Sequence, residues 1–206
     1  MYRKTYVEVN LDNINKNVKN IVNTFNDYDY YIGIVKGNAY GHGEYISKYI
    51  IQNGINYLAV SSLEEVINVR KYVSNDFPLL CLEPISLDYI DEIIKYNVTI
   101  SVCNLEYYKK LIDLKLNSLV KFHLKLNTGM NRLGISSLEE VNYIFNNLND
   151  DVIFEGIFTH FATDGVSDNL LKKQIDKFKY LVSEIDLTKI KVVHVSKSAT
   201  LEYFPN

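Results

Sequence analysis

A lysine closes an apolar run in Val-Lys-Gly-Asn-Ala-Tyr-Gly-His-Gly at 35–43. At the end of a buried strand an ammonium is poorly hydrated, which lowers its pKa and favours the neutral amine. Such an amine is a nucleophile able to form a Schiff base. The glycines behind Lys36 permit tight backbone turns close to a ligand. The plain alternative is a glycine-rich turn whose lysine lays its stem along apolar surface. Neither GxGxxG nor GxxxxGK[ST] spacing occurs, so dinucleotide and P-loop readings do not apply.

Three further segments carry reactive side chains. Phe-His-Leu-Lys-Leu-Asn-Thr-Gly-Met-Asn-Arg-Leu-Gly at 122–134 sets His123 and Lys125 two residues apart, so on a strand they share a face. A buried Lys125 must be neutralised, paired or modified. Arg132 offers a planar fork to a carboxylate or phenolate, or else a surface ion pair. His123 reads best as a satisfied core histidine. In Gly-Ile-Phe-Thr-His-Phe-Ala-Thr-Asp at 156–164, His160 ends a strand where it could stack on, or hydrogen-bond to, a ring. In Val-His-Val-Ser-Lys-Ser-Ala at 193–199, Ser196 and Ser198 lie where a strand yields to a helix. That is a natural phosphate site, or simply a place for N-cap serines.

The elements that must position these residues alternate. Apolar, β-rich runs fall at 32–36, 57–60, 79–82, 98–102, 120–126, 154–159 and 191–195, with helical patterns between them. An additional strand is expected at 6–10. The first helix puts Ile14, Val18, Ile21, Val22 and Phe25 on one face, with Asp12 placed to cap it. Ser62-Leu-Glu-Glu65 and Ser137-Leu-Glu-Glu140 read as capping boxes. Leu171, Ile175, Phe178, Val182 and Ile185 give a later helix its apolar stripe. The strands are near-continuous apolar runs, as parallel strands covered on both faces require. Strand–helix alternation means right-handed βαβ units. Seven strands point to an α/β fold of the parallel (β/α)8 TIM-barrel type. A complete barrel typically takes roughly 250 residues, so this chain is expected to hold about seven of the eight strands in one incomplete domain over 1–206.

Composition narrows the function classes. The chain has 206 residues, 47% of them hydrophobic, with 23% charged and only 3 Pro and 9 Gly, which suits one globular domain. A net charge of −3 leaves no electrostatic footprint for nucleic acid or an anionic membrane. No apolar run approaches the roughly 20 residues of a membrane span, and the basic start leads into no signal-peptide core. Cys81 and Cys103 cannot form a disulfide framework, and free thiols suit a reducing cytoplasm.

Taken together, the segments at 35–43, 125–134, 159–164 and 194–199 resemble the N-terminal domain of bacterial alanine racemases, pyridoxal 5'-phosphate (PLP) enzymes of fold type III. They occur in family order and spacing, and the resemblance covers the whole chain. It implies that Lys36 holds PLP as a Schiff base and acts as one of two catalytic bases. Tyr40 and Ser198 match phosphate contacts. Lys125 matches a lysine often carbamylated, whose added carboxylate positions the neighbouring arginine. Arg132 matches that arginine, which meets the PLP phenolic oxygen and the substrate carboxylate, and His160 matches the histidine beside the pyridine ring. No metal is implied. The resemblance also implies a cytoplasmic homodimer that supplies D-alanine for peptidoglycan precursors.

Three departures stand out. Gly37 replaces the usual Ala, Asn127 the usual Asp, and Lys197 the usual Asn. The family's pyridine-nitrogen arginine, a strand-eight phosphate contact and the second base, a tyrosine of a C-terminal β-domain, would lie beyond Asn206. This chain alone is therefore expected to be inactive. Three alternatives stay open: a serine or broad-specificity racemase, a non-catalytic PLP-binding protein, and a metal-dependent hydrolase barrel recruiting His123, His160 and His194.

Overall fold

Four of the helices start at a short polar side chain that takes up an orphan amide: Asn10, Ser62, Asn104 and Ser137. The computed structural model describes residues 5–162 and 169–195. Helix α1 (Leu11–Thr24) begins at Asn10, whose side chain accepts from the Asn13 amide at 3.0 Å. The cap is therefore Asn10 and not Asp12, which lies inside the first turn and complements the helix dipole. This geometry also corrects the strand expected at 6–10. Those residues form no regular structure, Tyr6 and Val7 are largely exposed, and Asn10 is committed to the cap. An alternating pattern makes a strand only where a neighbour supplies the other half of the ladder.

The chain divides at Leu79–Leu80 into two compact units. The first contains α1, β1 (Ile32–Ile34), α2 (Lys36–Tyr40), α3 (Ser47–Ile50), β2 (Tyr57–Val60) and α4 (Leu63–Arg70). Strand β3 (Leu79–Cys81) begins at the division. The second contains α5 (Ile90–Lys95), β4 (Ile100–Val102), α6 (Leu105–Asp113), β5 (Val120–Lys125), α7 (Leu138–Asn146), β6 (Val152–Phe158), α8 (Asn169–Leu181) and β7 (Val192–His194). Sheet orders are β1-β2-β3 and β4-β5-β6-β7. The β1–β2, β4–β5, β5–β6 and β6–β7 pairs are parallel. Neither order reverses, as a doubly wound sheet does at its switch point. Every residue of β2, β3 and β4 is buried, so both faces of these strands are covered, as the apolar runs of β2 and β3 require; in β4 the one hydroxyl, Ser101 Oγ, donates to Cys81 O at 2.6 Å.

The second unit carries charge inside its sheet, and a bulge makes room for it. Phe122 pairs with Phe154, but His123 pairs with Gly156, so Glu155 is the extra residue on β6. Glu155 is only 5% exposed. A carboxylate taken out of water must find compensating partners. Its Oε1 lies 3.2 Å from Lys191 Nζ, and its Oε2 accepts from Thr99 Oγ1 at 3.1 Å and lies 3.5 Å from His123 Nε2. His123 is fully buried, and its Nδ1 lies 2.9 Å from His194 Nε2. With an ionised carboxylate at Nε2, that nitrogen carries the proton, so Nδ1 accepts and His194 Nε2 donates. His194 also stacks on Phe158, ring centroids 4.6 Å apart and planes 6° from parallel. Gly156 is obligatory here, since a Cβ would lie 2.6 Å from His123 Cε1 and Nε2.

Two predictions follow from this cluster. Gly156→Ala pushes backbone against an enclosed imidazole, and overpacking of this kind costs about 1–3 kcal/mol; the urea midpoint should fall with the slope unchanged. The second concerns pH. Burial lowers the pKa of His123 despite the opposing pull of Glu155, and burial and His123 lower that of His194 well below its ordinary value. Below an unfolded pKa of about 6.5 the unfolded chain binds protons that the folded chain refuses. This stability is therefore complete above that pH and is lost on acidification, at up to about 1.4 kcal/mol per pH unit for each histidine. Thermal melts from pH 7 to 5 should show the loss. His194→Gln, which keeps a donor but does not titrate, should show less of it.

Candidate functional site

In a parallel sheet every crossover returns the chain to the same end, so residues that follow strands collect at one edge. Lys36 follows β1. The ladder runs one residue beyond Ile34, with the Val35 amide donating to Ala59 O at 2.8 Å, and Lys36 is the next residue. Directly after it the backbone turns left-handed. Gly37, Asn38, Ala39 and Tyr40 have φ of 61°, 53°, 50° and 53°. For residues with a Cβ this conformation costs roughly 1–2 kcal/mol each, although Asn tolerates it better. The turn is closed by Ala39 N to Val35 O at 2.9 Å, Gly41 N to Gly37 O at 3.1 Å and Gly43 N to Asn38 O at 2.9 Å. The Asn38 carboxamide oxygen also accepts from the Glu44 amide at 3.1 Å. Gly37 is the residue most at ease in this path, and an added Cβ would meet no atom within 4 Å. The departure from Ala at this position thus relieves strain without opening a gap. Tyr40 is left 65% exposed, and Lys36 is partly exposed.

The second unit presents its residues at the ends of β5 and β6. Lys125, the last residue of β5, is 4% exposed. Its Nζ donates to Leu82 O at 3.2 Å and sits 5.4 Å from the Phe158 ring centroid. Cys103 is near enough to feel that charge: burial pushes its thiol up to about 11, against the pull of Lys125. Beyond Lys125 the chain makes a closed loop. Asn127 N donates to Ile135 O at 2.8 Å, and Ile135 N donates to Lys125 O at 2.9 Å. Gly134, at φ 123°, lies so close that a Cβ would be 2.7 Å from Asn127 N. The Asn127 Oδ1 accepts from the Gly129 and Asn131 amides at 3.2 and 2.9 Å. An amide oxygen therefore does the acceptor work that an Asp would do there. Arg132 rides on this loop and is exposed.

His160 follows β6 and is exposed. Its strand end is locked by a buried cluster that sequence reasoning missed. Thr128 and Thr159 hydroxyls meet at 2.8 Å, Thr159 Oγ1 donates to Leu126 O at 2.9 Å, and Gln174 Nε2 donates to Thr128 Oγ1 at 3.2 Å. Gln174 Oε1 accepts from the Ala162 amide at 2.9 Å. A polar residue on the apolar stripe of α8, between Leu171 and Leu181, was the signal available.

The structure thus places Lys36 and Tyr40 after β1 in the first unit, and Lys125, Arg132 and His160 at one sheet edge of the second. Ser196, Lys197 and Ser198 lie outside the described residues. The histidines that a metal site would recruit are engaged otherwise, His123 and His194 with each other. Among the described residues, no three His, Cys, Asp or Glu side chains are placed to hold a metal ion. Among them, too, no helix is long and apolar enough to cross a membrane.

Known proteins resemble this chain along its whole length. Alanine racemase 1 of Bacillus subtilis is 34% identical over 202 residues, covering 96% of this chain and 51% of that protein. Alanine racemase 2 of Caldanaerobacter subterraneus is 31% identical over 207 residues, covering 97% and 53%. The solved alanine racemase of Clostridium difficile superposes with a TM-score of 0.88 at 34% identity, over 100% of this chain and 56% of that one. The chain spans about half the length of the curated relatives it matches. The likeness gives the fold class as an α/β barrel of the TIM type. Residues 9–206 match the family model for the alanine racemase N-terminal domain, and the chain belongs to that family.

Proposed function

We propose that residues 1–206 form the PLP-binding barrel domain of an amino-acid racemase that interconverts L- and D-alanine. The observation that carries this reading is the left-handed turn directly behind Lys36. Strain of that kind persists only where surrounding structure holds it, and it gathers at functional sites. The donor set fits PLP. Lys36 is a primary amine within reach of solvent, Arg132 is an exposed guanidinium on a closed loop, and Tyr40 and His160 offer an exposed hydroxyl and ring. When bound, PLP supplies the electron sink that makes the substrate Cα proton removable.

The chain's own residues do the rest. Lys36 serves as the base on one face of Cα, taking or returning the proton there. The Arg132 fork holds the substrate carboxylate. Lys125, buried at the strand end beneath that loop, positions Arg132 once carbamylated, which also removes an enclosed positive charge. Ser198 and Tyr40 hold the phosphate. Racemisation needs a second base on the opposite face, and we assign it to a part of the longer protein outside these 206 residues. The reading carries with it a cytoplasmic homodimer feeding D-alanine to peptidoglycan precursors, as the family resemblance implies.

Adding PLP to the purified protein should produce a visible absorbance that borohydride makes permanent, with the label on a peptide containing Lys36. Lys36→Ala should abolish it, and a label mapping to Lys125 would refute the assignment. In a D-alanine formation assay with saturating PLP, residues 1–206 should be slower by several orders of magnitude than a polypeptide that continues through the second base, because the two bases act as a unit. Comparable turnover would mean that both bases lie within this chain.

A further inference from the structure

We infer that Glu65 is a positioning residue for Lys36, its carboxylate clamping the left-handed turn on which the lysine sits; this deepens the PLP-lysine reading above and rests on it. The pattern Ser62-Leu-Glu-Glu65 predicts a capping box, in which Glu65 reaches back to the Ser62 amide. Only half of that forms. Ser62 caps α4 by accepting from the Glu65 amide at 3.3 Å. The Glu65 carboxylate turns elsewhere. Its Oε1 accepts from the Gly37 amide at 2.6 Å, from a residue 28 positions earlier. Its Oε2 accepts from the Ser61 amide at 2.7 Å and from the Ser61 hydroxyl at 3.0 Å.

The choice of partner has a physical reason. A left-handed turn, like any helical turn, leaves its first amides without partners inside the turn. Ala39 N finds Val35 O, whereas the earlier Gly37 amide is taken by the carboxylate. Hydrogen bonds to an ionised acceptor are short and strong. One carboxylate therefore joins the residue after Lys36 to Ser61 at the end of β2 and to the first turn of α4. The lysine backbone is referenced to two rigid elements in place of a glycine-rich loop free to relax. Glu65 itself touches no reacting atom, so its effect runs through the turn.

Hydrogen exchange and PLP attachment on the full chain test this. In the wild type the Gly37 amide should be protected even though its residue is exposed, and rapid exchange there overturns the clamp without any variant. Glu65→Gln keeps one acceptor oxygen but loses the charge and the second acceptor. Glu65→Ala loses all three contacts. Both should raise exchange at Gly37 and through the turn by about tenfold or more, as loss of a charge-assisted hydrogen bond implies, and should slow borohydride-trapped attachment at Lys36. Ser62→Ala is the control: it breaks the cap of the same helix and should lower the melting temperature while leaving both Lys36 readouts alone. If the Glu65 variants behave as Ser62→Ala does, Glu65 serves only the helix and the inference is wrong. If the wild type takes up no PLP at Lys36, the cofactor reading fails, and the exchange data still decide the clamp.

Discussion

Parallel pairing is the constraint on which the rest of this structure depends. Each strand must be followed by a crossover that brings the chain back to the same end, and the crossovers cover the sheet faces. Strand interiors are then closed to water, and polar chemistry is left to the strand ends. β2 and β3 obey this, every residue being buried and none of them charged. The residues of interest, Lys36, Lys125 and His160, all stand at or just beyond the C-terminal ends of strands.

β5 and β6 depart from the rule and show what a departure requires. His123 and Glu155 are polar groups inside a closed sheet. The ladder slips by one residue so that Glu155 turns inward, Gly156 removes its side chain to admit the imidazole, and Thr99, Lys191 and His194 complete the hydrogen bonding. The members depend on one another, since the loss of a partner leaves a dehydrated polar atom behind. Phe158 links this cluster to Lys125, stacking on His194 with one contact and meeting the lysine ammonium with the other.

The loops at the strand ends are held by a different means. Lys36 is followed by four left-handed residues, and Arg132 is carried by a loop whose two ends bond to each other. In both cases a side chain from the chain itself supplies acceptors to backbone amides: Glu65 in the first and Asn127 in the second. Loops pinned in this way can present a cation at a defined place, which flexible glycine-rich segments could not.

The residues alone are enough for the alternation of elements, the seven strand segments and the Ser62 and Ser137 caps. These are local properties: a 3.6-residue or apolar pattern, or a serine before a helix. His123 as a core histidine was legible for the same reason, being flanked by apolar residues within a strand. Tertiary structure decided what depends on partners distant in the chain. It withheld a neighbour from 6–10, so that segment is no strand. It moved the α1 cap to Asn10, turned Glu65 from its own helix to Gly37, and gave Glu155 a bulge to fill. It also placed Gln174 against Thr128. A backbone amide or a carboxylate bonds to whichever partner folding brings within about 3 Å, and sequence spacing does not encode that distance.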